Sequence, residues 1–218
     1  MKIFDQKDIE NLHHLYRINL INSCSGYKSA NLIGTQSKDG QTNLAVFSSV
    51  MHLGSNPPLI GFILRPDNVP RHTYENIMET GVYTVNHVFK DIVSQAHHTS
   101  AKYAKEVSEF EVTGLKPVYK NNFHAPFVEG SPVQLAMTFD SALEIASNQT
   151  KLIIGKIQTI YLDESALSVD GYYDLSKVGV ATINGLDAYS IPTENQRLGY
   201  QRPQAGFEQR DKPIKKIS

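Results

Sequence analysis

Two groups of residues in this sequence have the types and spacing to bind a ligand. The first is the hydroxyl and amide set Asn43, Ser48 and Ser49 within Asn43-Leu44-Ala45-Val46-Phe47-Ser48-Ser49. Such neutral donors and acceptors suit the polar edge of a flat heterocycle. The second is Arg71-His72-Thr73, just ahead of a helical apolar pattern. A helix start offers free N–H groups and the positive end of its dipole. Thr adds a hydroxyl and Arg a fork of N–H donors, which together outline a dianion site. Each group also has an ordinary reading. Ser and Asn in loops mostly satisfy nearby backbone, and Arg beside Thr is often no more than a helix start.

Other chemistries find less support. There is no Gly-x-Gly-x-x-Gly, no phosphate loop ending in Gly-Lys-Ser/Thr and no Gly-x-Ser-x-Gly elbow. His13-His14 and His97-His98 are adjacent pairs, whereas a helical metal pair wants i and i+4, and no Cys or carboxylate completes a set, so no metal is expected. Cys24 is the single cysteine, which fits a reducing compartment. A net charge of −1 leaves no footprint for nucleic acid or an acidic membrane, and the basic cluster from Lys212 to Lys216 reads as a solvated end. Met1-Lys2-Ile3-Phe4-Asp5 lacks the apolar core of a signal peptide, and no long apolar run follows, so a cytoplasmic location is expected.

The elements that must position these residues follow from pattern. Asp5 and Asp8 cap a helix on which Ile9, Leu12, His13 and Tyr16 share a face. Ala30 to about Phe47 reads as strand, hairpin, strand, turned at Asp39-Gly40, where a type I′ turn needs positive φ at both central residues. Leu59 to Leu64 has no polar alternation and predicts a strand buried on both faces. After turn chemistry at Asp67-Asn68-Val69-Pro70 comes a helix, with Thr73 as N-cap, Tyr74, Ile77 and Met78 on one face, and Gly81 ending it. Val82 to Val88 is a strand with Val82, Thr84 and Asn86 on one face. Asp91 to Ala104 is a further helix, and Ser131 to Ile145 and Leu152 to Leu162 are long strands joined through Asn148-Gln149-Thr150. From Asn184 the tail reads as irregular. With no repeat and no linker, residues 1–218 read as one mainly β domain, a barrel with a few flanking helices.

The ordered set Asn43-Leu44-Ala45-x-Phe47-Ser48, Pro57-Pro58, Arg71-x-Thr73-x-x-Asn76-Ile77 and Val85-Asn86 resembles the flavin reductase-like family, whose fold is the FMN-binding split barrel. Glu109-Phe110, Gly114-Leu115, Glu129-x-Ser131-Pro132-Val133 and Gly155 continue in the family's order, and the likeness covers roughly Ser29 to Leu162. It implies a homodimeric FMN-dependent oxidoreductase, with FAD as the other flavin, NADH or NADPH as donor, and a monooxygenase or another acceptor as partner. Position by position, it implies that Asn43, Leu44, Ala45, Val46, Phe47, Ser48 and Ser49 line the flavin ring and ribityl chain. Arg71 and Thr73 then hold the phosphate, and Asn86 stands near the ring. Arg71-His72 replaces the family's more usual Lys-Asp, which keeps the cation and loses the acid. Because a flavin carries the electrons, no catalytic acid or base is assigned. His52 and His87 lie near motif positions, and Tyr189 is a candidate to stack on the ring. The alternative is a non-enzymatic, flavoredoxin-like electron carrier.

Overall fold

The computed structural model describes residues 1–66 and 70–199. Asp67-Asn68-Val69 and the basic cluster from Lys212 to Lys216 lie outside the described residues. The chain opens as its caps predict: Asp8 N donates to Asp5 Oδ1 at 2.8 Å and Asp5 N to Asp8 Oδ2 at 3.1 Å, starting α1 (Gln6–Asn11). The expected continuous helix does not form. Leu12 and His13 take extended ψ values of 143° and 137°, and α2 (His14–Cys24) begins afresh. Ile9 and Tyr16 therefore share no helix face. The Arg17 guanidinium spans the break by donating to the Glu10 carbonyl at 2.9 Å.

The body follows in the order β1 (Lys28–Ser29), β2 (Asn31–Gln36), β3 (Thr42–Phe47), β4 (Met51–Ser55), β5 (Pro58–Leu64), α3 (His72–Thr80), β6 (Val82–His87), α4 (Val93–His98) and α5 (Glu109–Thr113). Then come β7 (Pro117–Val118), β8 (Phe127–Val128), β9 (Val133–Ile145), β10 (Thr150–Leu162), β11 (Thr182–Asn184) and β12 (Ala188–Ser190). Seven strands form one antiparallel sheet in the order β3-β2-β6-β9-β10-β5-β4. β3 and β4 are consecutive in the chain yet occupy opposite edges, joined by residues 48–50 alone. Laid flat, the edges of such a sheet would stand about 29 Å apart. The four Cα steps of the link reach at most about 15 Å. The sheet must curl, and its edges meet as an incompletely closed barrel.

Ser49 clasps that seam. Its Oγ donates to the Ile63 carbonyl at 3.2 Å and accepts from the Ile63 N–H at 3.0 Å, standing in for a paired strand residue. Inside the barrel, Ile33, Phe62, Tyr83, Val85, Met137 and Ile153 are wholly buried, with Ile77 of α3 among them. On the outer face, Leu32 and Leu44 pack with Val88, Ala96 and Phe110 beneath α4 and α5.

The β2–β3 hairpin forms, but only Gly40 has a positive φ, at 91°, and Asp39 does not. Gly40 N bonds the Ser37 carbonyl at 3.1 Å, so the turn is longer than a two-residue type I′ link. β5 lies next to an edge strand, so Gly61, Phe62 and Leu64 are buried while Leu59, Ile60 and Ile63 are half-buried. The helix expected over Asp91–Ala104 reduces to a 3-10 turn followed by α4, and the segment from Thr99 to Val107 is turn and loop. Met78, expected on the apolar face of α3, is exposed. β12 lies in the stretch expected to be irregular and pairs with β11, which pairs with β1.

Gly34 of β2 faces the Pro126 carbonyl, where an added Cβ would overlap that oxygen and press on Thr84 Oγ1. Gly34→Ala is expected to cost about 1–3 kcal/mol or more, since the obstacle is backbone rather than a mobile side chain; a urea midpoint equal to wild type would contradict the close approach. At the end of β6, burial lowers the His87 imidazole to about pH 4, and its Nδ1 finds no hydrogen-bond partner among the described residues. Because the folded value lies below the unfolded value of about 6.5, this group favours the fold fully above that pH, and the contribution fades as pH falls toward 4. His87→Gln should flatten the stability profile in this window by up to about 3 kcal/mol, checked by denaturant unfolding between pH 7 and 4.

Candidate functional site

The seam between β3 and β5 opens into a groove of about 550 Å³. One wall is β3 and the link after it: Asn43, Ala45, Val46, Phe47, Ser48 and Ser49 all line the space. Ile63, Leu64 and Arg65 at the end of β5 face them. The floor is the start of α3, with Arg71, His72 and Thr73, and the far rim is the loop from Thr99 to Lys105. The two residue groups singled out by type and spacing therefore share one cavity, brought together because α3 closes the barrel end at which the seam opens.

The polar groups are already organised. Asn43 Nδ2 donates to Thr73 Oγ1 at 3.0 Å, so the Thr73 hydroxyl keeps its own hydrogen for another acceptor. Behind it, Asn76 Nδ2 donates to Thr35 Oγ1 at 3.1 Å. Thr73 is not the N-cap: Arg71 holds that position without a capping side-chain bond, and Thr73 lies buried within the first turn. Among the described residues no side chain accepts from the helix's leading N–H groups, which is what an anion site requires. The Arg71 guanidinium donates through Nε and Nη2 to the Pro66 carbonyl, at 3.1 and 3.0 Å. This fixes its direction and leaves donors to spare. Gly81 ends α3 as expected, with φ at 73°.

Lys102 and Lys105 bring further positive charge to the rim, the second pairing with Glu75 at 3.5 Å across an exposed gap. Glu109 is the groove's buried acid, 6% exposed. Burial raises its carboxyl above the ordinary value, opposed by the Leu44 N–H bond and by nearby His72. Between these polar ends the lining is apolar, from Ala45 to Phe47 and at Ile63–Leu64, although the Val46 side chain packs on the outer core and Phe47 and Leu64 pack into the barrel core.

Two of the expected site residues lie elsewhere. The Leu44 side chain turns into the outer core, because neighbours along a strand point to opposite faces. Asn86 is fully buried, donating to the Leu32 carbonyl at 3.2 Å and Thr84 Oγ1 at 2.9 Å and accepting from Val128 N at 3.0 Å. Its amide secures β8 over the sheet and does not line the groove. His52 is exposed on β4 and bonds Ser55 Oγ at 3.2 Å, while His87 lies outside the groove lining. Tyr189 packs on the outer core, its hydroxyl 3.3 Å from His97 Nδ1, and is not part of the groove lining. His98 pairs with Tyr103 at 2.7 Å. Sequence reasoning missed the Thr99–Lys105 rim, whose signal is its polar Thr-Ser-Ala-Lys stretch. It also missed Glu109 as a groove residue, although Glu109-Phe110 belongs to the ordered motif set.

Comparison with known proteins agrees with this fold. A protein from Shewanella frigidimarina NCIMB 400, described as a flavin reductase with a split barrel domain, is 48% identical and superposes with a TM-score of 0.89 over 92% of this chain and 100% of its own. Flavoredoxin of Desulfovibrio vulgaris (Miyazaki F) is 25% identical, with a TM-score of 0.69 over 83% and 93% of the two chains. Nitrilotriacetate monooxygenase component B from Bacillus cereus, at 19% identity and a TM-score of 0.79 over 91% and 98%, shares the fold. A sequence model of the flavin reductase like domain matches residues 26–179, and with the seamed antiparallel barrel already in hand, this chain belongs to the flavin reductase-like family.

Proposed function

We propose that the chain is an FMN-binding oxidoreductase that reduces flavin or a flavin-dependent acceptor with electrons from NADH or NADPH. The observation that carries the reading is the seam groove, which joins a cation-bearing helix start to an apolar wall in a space of cofactor size. Arg71, Thr73 and the free N–H groups of α3 would hold a phosphate, and Asn43 would orient the Thr73 hydroxyl. Ala45, Phe47 and Ser48, with the Val46 backbone, would line the ribityl chain and ring, while Ser49, engaged with Ile63, would keep the seam at fixed width. When bound, the flavin supplies the electron chemistry, and the protein supplies binding, orientation and exclusion of water. FAD is the alternative flavin, and the 25% identical flavoredoxin supports an electron carrier as the second reading.

We read the whole chain as one such domain that works as a homodimer. Supporting the dimer is the uncovered outer face of β4, β5, β10 and β9, where Leu53 and Leu143 are 40% and 56% exposed. The described helices include none long and apolar enough to cross a membrane.

The deciding experiment is an absorbance spectrum of purified protein, alone and with FMN, followed anaerobically by NADH and then NADPH. A bound flavin bleached by either nucleotide is expected; a bound flavin that neither bleaches would favour the carrier, and no binding would remove the reading. Arg71→Ala should weaken FMN by about 1.5–3 kcal/mol, the worth of a charge-assisted contact, and riboflavin much less. Equal losses for the two ligands would take Arg71 out of the phosphate site.

A further inference from the structure

Glu109 has no part in the binding described so far, yet its carboxyl lies in the groove wall and is almost wholly buried. The reason for an acid there lies in β3. As an edge strand, β3 has N–H groups on its outer side that no neighbouring strand can accept. Glu109, the first residue of α5, serves one of them instead. Glu109 Oε2 accepts the Leu44 N–H at 2.9 Å, and Ser108 Oγ meets Thr42 Oγ1 at 2.7 Å. The Leu44 N–H belongs to the peptide joining Asn43 to Leu44, so Glu109 fixes the backbone plane from which Asn43 projects. Asn43 in turn donates to Thr73 in the first turn of α3. One unbroken series of contacts thus runs from the Glu109 carboxylate through the 43–44 peptide and the Asn43 amide to a hydroxyl on the groove floor.

We propose that Glu109 is a positioning residue for the phosphate end of the groove, acting through Asn43 on the Thr73 hydroxyl. The proposal rests on the reading of the groove as a flavin site. It accounts for an acid within a basic groove: the carboxylate is spent on a backbone N–H and holds a neutral donor toward the ligand, so its charge need not oppose the anion directly. It also separates two roles. A residue that merely supports the fold would affect every ligand alike, whereas one that aims Thr73 affects the phosphorylated ligand alone.

The test compares FMN and riboflavin affinities of the full chain by flavin fluorescence, for wild type, Glu109→Ala, Glu109→Gln, Asn43→Ala and the Glu109→Ala/Asn43→Ala pair. Glu109→Ala should weaken FMN about tenfold and riboflavin less than about twofold, the size of one lost hydrogen bond to the phosphate. Glu109→Gln, which keeps an acceptor, should recover most of the discrimination, and the double variant should be no worse than Asn43→Ala alone. Equal losses for both flavins in Glu109→Ala, or strictly additive losses in the pair, would overturn the proposal. Should Glu109→Ala fail to fold, Asn43→Ala carries the test, because equal losses there break the same series. A wild-type protein that binds neither flavin would sink the functional reading itself, while wild-type binding with unchanged discrimination in Glu109→Ala would sink this inference alone.

Discussion

The link of three residues between β3 and β4 is the constraint on which the rest of this structure depends. Consecutive strands normally pair, and a hairpin there would have given a simple meander. Here they sit at the two ends of a seven-stranded sheet, so the short link pulls the ends together and forces the barrel. Closure by a link differs from closure by a ladder, because it leaves two strand edges facing each other with their polar backbone groups unpaired along part of their length. Those groups need partners. Ser49 supplies them to Ile63, and α5 supplies them to β3. Where no such partner stands, the seam widens into the groove.

This origin explains how the groove can be both rigid and receptive. Its walls are strands whose other edges are fully paired, and its floor is the first turn of a helix whose Ile77 is wholly buried in the barrel. The polar groups of the groove therefore sit on a scaffold held by hydrophobic burial, while the far rim from Thr99 to Lys105 is loop. Buried hydroxyl and amide groups along the floor satisfy one another: Asn43 with Thr73, and Asn76 with Thr35. Since a buried amide or hydroxyl is costly when unpaired, this set favours one arrangement over its alternatives and holds the floor in one shape.

The parts of this arrangement legible in the sequence were those fixed by local chemistry. The Asp5–Asp8 cap, the Gly81 stop, the β2–β3 hairpin and the two long strands each carry their cause within a few residues. Neither the break at Leu12–His13 nor the loop after His98 does, because the helical pattern of the sequence continues through both while the backbone does not. The same division holds at the groove. Asn43 to Ser49 and Arg71 to Thr73 could be picked out by type, but which of them face the cavity depends on strand parity and register. Leu44 and Asn86 show this. Both lie within the motif set, both are buried, and both turn to the outer face, where one packs beneath helices and the other secures β8. A motif of contiguous residues cannot distinguish a wall from its backing, since alternate positions of one strand serve each.

Glu109 belongs to the part that sequence pattern did not reveal. His72 follows Arg71 on the groove floor, where the resemblance implies an acid. The groove nevertheless keeps a buried carboxylate, contributed by an element more than thirty residues further along the chain. His72 and Glu109 are near enough for the histidine to favour the ionised carboxyl, which offsets part of the cost of burying it. The basic floor and the acidic wall are thus electrostatically linked, though they arise from separate motifs. A sequence reading that treats Arg71-His72-Thr73 and Glu109-Phe110 as independent signals misses the coupling, because only the curl of the sheet brings the two segments to the same groove. Within that groove the acid is engaged by backbone and the hydroxyl is held by an amide, an arrangement suited to holding and orienting a ligand whose own chemistry does the work.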